Sequence, residues 1–160
     1  MKKTAIFTRS IAMLFVFSLM LTALTGCGSK KAVTTDTVQS LAAEKGLQCV
    51  DVKQQFADYD FITEATVIAP DDFSYQMEFY TFSDSSQAQS FYANNKSNFE
   101  MNKGSVYTDS SLSGKNYARF TLNTNGKYMF IAYVDNTVFY VDVDQAYKST
   151  VEEFIKAIDY

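Results

Sequence analysis

Histidine, the side chain most often recruited for chemistry, is missing from this chain of 160 residues. Without imidazole there is no Ser–His or Cys–His nucleophile system and no imidazole metal site. Carboxylates, two thiols and a rich set of tyrosines remain. Asp58 with Asp60, and Asp142 with Asp144, are spaced by two residues, which on a strand puts both side chains on one face. Such a pair could hold a hard cation or divide acid and base roles. Calcium usually needs more oxygens than one pair supplies, and no EF-hand-like loop is present, so solvated acids at strand ends are the simpler reading. No catalytic or cofactor-binding motif stands out, so no catalytic residue, metal or cofactor is assigned. Cys49 has no histidine to activate it and reads as a small, half-buried hydrophobe.

The second thiol, Cys27, has a more telling context. Lys2, Lys3 and Arg9 precede and border an apolar run over residues 11–21 that ends in small residues. A charged region, an apolar core and a cleavage zone are the parts of an export signal. The run is short for a spanning helix, because about 20 apolar residues are needed to cross the hydrocarbon layer. Leu24-Thr25-Gly26-Cys27 follows and resembles the lipobox of bacterial lipoproteins: an aliphatic residue, a small one, Gly or Ala, then Cys. The resemblance covers about the first 30 residues. It implies cleavage between Gly26 and Cys27, a thioether-linked diacylglycerol on Cys27, and a protein anchored at the extracytoplasmic face of the cell membrane. Two acyl chains hold far more firmly than one, at about 0.8 kcal/mol per buried methylene. The rest of the chain has a looser, general resemblance to small uncharacterised lipoproteins of Gram-positive bacteria, which carries no catalytic residues with it.

Removing residues 1–26 as a signal peptide leaves 134 residues, with 11 basic against 18 acidic side chains, or about −7. That balance argues against a nucleic-acid partner. Residues 27–35 read as the lipidated cysteine and a flexible tether, with Lys30 and Lys31 at head-group level adding about 1 kcal/mol each. Residues 36–160 are one domain's worth of chain, dense in aromatics (14 Phe and 11 Tyr in the whole sequence) and poor in Pro and Gly.

Within the domain, Asp36 as an N-cap and Gly46 as a stop bound a first helix, with Val38, Leu41 and Ala42 on one face. Residues 47–52 predict a brief strand with Cys49 and Asp51 opposite Val50 and Val52. Residues 61–69 and 73–82 predict a hairpin, the second strand alternating Phe73, Tyr75, Met77 and Phe79 against Ser74, Gln76 and Glu78. A helix over 85–98 is followed by a loop around a short strand at 105–108. Residues 117–124, 127–134 and 137–143 predict a three-stranded meander through turns at Asn125-Gly126 and Asp135-Asn136. Those turns place Phe120, Leu122, Met129, Ile131, Tyr133, Val138 and Tyr140 on one face and Arg119, Thr121, Tyr128, Phe130, Ala132, Val134, Phe139, Val141 and Val143 on the other. A terminal helix over 147–158 buries Val151, Phe154, Ile155 and Ile158. The expected fold is α+β: a mainly antiparallel sheet of five or six strands with about three helices.

Tyrosine joins an apolar ring to a hydrogen-bonding tip and suits sugar, peptide or protein contacts. Tyr75, Tyr80, Tyr107, Tyr117, Tyr128, Tyr133 and Tyr140 are therefore candidates, set against the ordinary preference of strands for aromatics. The face carrying Tyr128, Phe130 and Phe139 offers more apolar surface than one short helix covers, and is the expected partner surface. Function is then expected to be that of a membrane-anchored, non-enzymatic binding or accessory module for an envelope protein, peptide or glycan. The alternative is a carboxylate-based envelope enzyme such as a glycan hydrolase.

Overall fold

The computed structural model describes residues 28–160, so the expected signal segment and the Leu24-Thr25-Gly26-Cys27 motif lie outside the described residues. The order is α1 (Thr35–Glu44), β1 (Gln48–Asp51), a 3-10 turn (Lys53–Phe56), β2 (Ile62–Ala69), β3 (Met77–Phe82), α2 (Ser85–Met101), β4 (Tyr107–Ser113), β5 (Tyr117–Thr124), β6 (Lys127–Val134), β7 (Thr137–Asp144), a second 3-10 turn and α3 (Lys148–Ala157). The class is α+β, as expected, with seven strands rather than five or six.

All neighbours in the sheet are antiparallel, in the order β1-β2-β3-β7-β6-β5-β4. The chain leaves β3 in the middle, crosses through α2 to the far edge, and meanders back through β4, β5 and β6 until β7 docks on β3. The meander register is the one read from the turns, with Thr124 opposite Lys127 and Val134 opposite Thr137. Asn125 and Gly126 both have positive φ, at 51° and 74°, the conformation a twist-matched two-residue hairpin demands. In the next turn only Asp135 does, at 51°.

Helices cover both faces, which explains why β6 and β7 are apolar on both sides. On one face α1 and α3 press Val38, Ala42, Val151, Phe154 and Ile155 onto Met77, Phe79, Phe130, Phe139 and Val141. On the other, α2 and the segment after β1 close over Tyr80, Phe82, Phe120, Leu122, Ile131 and Val138. Two aromatic stacks mark these layers: Phe139 lies parallel to Phe154 with centroids 5.8 Å apart, and Phe61 parallel to Phe82 at 6.4 Å.

Several local expectations change. The N-cap of α1 is Thr34, whose hydroxyl accepts from the Thr37 amide, not Asp36. At α2 the N-cap is Asp84, its carboxylate accepting from the Gln87 amide. Residues 73–76 turn instead of extending the strand, with Phe73 at φ 51° and exposed. The short strand expected at 105–108 is a longer one at Tyr107–Ser113, exposed at every position. Finally, the expected flexible tether is tied down from Lys30 onward. The Lys30 amide donates to Asn116 Oδ1 at 2.9 Å, Asn116 Nδ2 donates back to the Lys30 carbonyl at 2.8 Å, and Lys30 Nζ meets Asp159 Oδ1 at 2.9 Å. Ala32 and Val33 pack against the core. A polar sequence without periodicity gave no sign of these contacts, because Asn116 and Asp159 are more than 80 residues away.

Candidate functional site

The expected partner surface is not exposed. Tyr128, Phe130 and Phe139 are 2 %, 2 % and 0 % accessible. The reason is that α1 and α3 share this face: one short helix would leave it bare, whereas two cover β2, β3, β6 and β7. Only its margin stays open. One row of side chains across this face grades from apolar to polar: Ile68, Met77, Val141, Phe130, Thr121, Ser110. Past β6 no apolar residue remains in it to attract a helix, and α3 stops above β6.

The step creates a groove of about 540 Å³. Thr121 and Asn123 of β5 and Ser110 of β4 form its floor, with the edges of Tyr128 and Phe130 at the foot of its wall. Lys148, Glu152, Ile155 and Lys156 of α3 rise on that side. Lys30, Asp159 and Tyr160 close one end. A second hollow of about 500 Å³, around the β5–β6 turn, shares Asn123 and Lys148 with it.

Four cations line the groove against two acids, the reverse of the balance of the chain as a whole. Lys30 is paired with Asp159, and Lys148 reaches Glu152 only at 3.8 Å. Among the described residues Arg119 and Lys156 have no ion-pair partner. Lys148 Nζ also lies 5.6 Å from the centroid of the Tyr128 ring. Burial first, and then the neighbouring Glu152 carboxylate, push the Tyr128 phenol's pKa up, so it remains a neutral donor. In the floor, the Asn123 side-chain oxygen is buried without a hydrogen-bond partner. An orphaned acceptor of this kind costs about 1–3 kcal/mol.

The other sequence candidates lie elsewhere and are not brought together. Asp58 and Asp60 sit in an exposed turn rather than on a strand. Asp142 and Asp144 do share a face at the end of β7, but Asp144 is held by Lys127 at 2.9 Å. Burial raises the pKa of Asp142, partly offset by Lys127. Next to it, burial followed by Asp142 and Glu78 push Tyr140 up to about 12. Among the described residues no group of three or more acids and thiols is placed to hold a metal ion. The Cys49 thiol, half-buried against the core, is raised by burial. Tyr80, Tyr117 and Tyr128 are buried, Tyr75, Tyr133 and Tyr140 half-buried, and only Tyr107 is exposed.

Arg119, Thr121 and Asn123 went unselected as candidates. Their signal was in the register: β5 alternates polar residues on the very face where β6 and β7 carry Phe130, Phe139 and Val141. An uncovered strip beside a covered one is where such a mismatch has to occur. No protein-family model, no curated protein and no solved structure matches this chain.

Proposed function

We propose that this chain is an exported lipoprotein, anchored through a diacylglycerol on Cys27 at the outer face of the cell membrane, and that it works as a binding module whose ligand seat is the groove beside α3. The anchor is supported by the Leu24-Thr25-Gly26-Cys27 sequence behind a charged and apolar N-terminus, and the pinning of Lys30 sets how far the groove then stands from the lipid. Between Cys27 and the first residue tied to the domain stand only Gly28 and Ser29. Three residues of extended chain reach about 10 Å. A lipid on Cys27 therefore keeps the Lys30–Asn116–Asp159 corner, which borders the groove, within about a Debye length of the head groups. Among the described residues no helix is long and apolar enough to cross a membrane, so in this reading attachment falls to the lipid.

Intact-mass measurement of the chain purified from membranes tests the anchor. The expected product begins at Cys27 and carries the diacylglycerol mass, and Cys27→Ala abolishes both the added mass and membrane retention. A product with the initiator Met1 and a bare Cys27 thiol overturns the reading.

A further inference from the structure

We propose that the free edge of β4 pairs with the same strand of a second copy of this chain, antiparallel about a two-fold axis at Ser110, so that two seven-stranded sheets become one. This pairing needs neither the lipid on Cys27 nor the groove beside α3.

The hydrogen-bond phase of the meander fixes which backbone groups of β4 are free. The Gly114 amide donates to the Tyr117 carbonyl at 2.9 Å, so the pairs that bond β4 to β5 are those in step with it: Thr108 with Asn123, Ser110 with Thr121 and Leu112 with Arg119. The amides and carbonyls of Tyr107, Asp109, Ser111 and Ser113 therefore point out of the sheet, and among the described residues no backbone group bonds them. Natural edges are blunted by shortness, a lysine, a proline or a bulge. The far edge, β1, has four residues. β4 has seven, without lysine or proline and with an unbroken register to β5. Its one charged side chain, Asp109, is neutralised by Lys103. Apolar side chains gather at the same edge: Met101, Val106, Tyr107 and Leu112 are four of the seven large apolar residues exposed among the described residues, Val106 most of all at 82 %.

A second copy is the occupant that the strand's own sequence fits. About Ser110, Tyr107 meets the copy's Ser113, Thr108 meets Leu112 and Asp109 meets Ser111, so bulky side chains oppose smaller ones and no charge faces its like. All four outward residues are engaged at once, in hydrogen-bonded pairs that exchange two bonds each. Sliding the copy by one residue sets outward groups against inward ones. Sliding it by two loses a pair, and in one direction brings Asp109 against Asp109. A strand-to-strand contact is small beside the roughly 1,600 Å² of a standard interface, so the dimer is weak and depends on concentration.

The test is sedimentation equilibrium of the full chain in a density-matched neutral detergent, with disulfide trapping. The parent is expected to pass from monomer to dimer as its concentration is raised about 100-fold. Ser111→Pro removes an outward amide and no bond to β5, a placement that edge strands tolerate; it should stay monomeric throughout, with the parent's thermal midpoint. Ser110→Cys places a thiol on the axis, at a pair without backbone bonds where Cα atoms stand about 4.5 Å apart, within disulfide reach. It should cross-link under mild oxidation at least about ten-fold faster than Leu112→Cys, whose symmetry mate lies four residues along the strand, about 13 Å away. The parent, with Cys27 and Cys49, sets the background. A monomer at every concentration overturns the assignment and leaves the edge to an extended segment of another protein. A dimer that survives in Ser111→Pro, or Leu112→Cys cross-linking as fast as Ser110→Cys, overturns it as well. Should Ser111→Pro fail to fold, the ratio of the two cross-linking rates decides alone.

Discussion

Strand β5 has two neighbours of opposite character. Every residue of β6 is buried or half-buried, whereas every residue of β4 is exposed, yet both are joined to β5 by full antiparallel registers. Backbone pairing is thus common to the two, and what separates them is cover. Helices lie on both faces of β6 and its aromatic side chains follow from that; over β4 there is none, and its side chains are Ser, Thr and Asp beside the exposed Tyr107 and Leu112. β4 is held by its ladder and by a few ties from the preceding loop, among them the Lys103–Asp109 ion pair and the Gly104 amide donating to Thr124 Oγ1 at 2.8 Å. The groove lies on the boundary between the two regimes, where the sheet is rigid but its surface is wet.

Phe130→Ala and Leu112→Ala break or uphold this comparison most directly. Phe130 is in the covered region, against Phe139; Leu112 stands on the same face of β4 at 43 % exposure. Loss of about 3–5 kcal/mol is expected for the first and a change within about 0.5 kcal/mol for the second, read by urea unfolding. Equal losses would mean that β4 is covered after all. Gly126→Ala comes next: with φ at 74°, a Cβ there should cost about 1–2 kcal/mol, seen as a lower thermal midpoint, because the turn sets the register of β5 on the dry strand β6. Asn116→Ala should cost about 1–2 kcal/mol through its lost bonds to Lys30 and Asp135. Its sharper signature is hydrogen exchange, expected to quicken at Lys30 while β6 amides keep their protection. Unchanged exchange at Lys30 would refute the pinned leader.

The smallest effect concerns pH. The carboxyl of Asp142 is raised by burial, so the folded chain binds its proton more readily than the unfolded one. Stability therefore increases as pH falls through the window between the raised value and the ordinary carboxylate range, and the charged form carries a penalty above it. Asp142→Asn should flatten that slope and stabilise the fold at neutral pH by no more than about 0.5 kcal/mol. A steeper slope in the variant would contradict the direction of the shift.

Much of the fold was legible because one side chain in two, or one stripe in 3.6, reports on cover. The meander strands announce themselves through Phe120, Leu122, Met129 and Ile131, their registers through Asn125-Gly126 and Asp135-Asn136, and α3 through Val151, Phe154, Ile155 and Ile158. β4 carries no such report: with both faces in water, Thr108, Ser110 and Ser111 form no pattern distinct from a loop. The candidate site was half legible. Arg119 and Thr121 were assigned to the correct face, but the patch chosen on it was the part that two helices cover.

The amino-acid order alone, then, carried the α+β class, the antiparallel meander and the residue composition of each face, since each depends on neighbours within a few positions. Only the tertiary structure decided that α1 and α3 share one face, that Lys30 is bound to Asn116 and Asp159, and that Arg119, Asn123 and Lys156 meet around one groove. Those facts depend on where distant segments come to rest, which is set by the competition of all apolar surfaces for cover and is written in no local stretch of the chain.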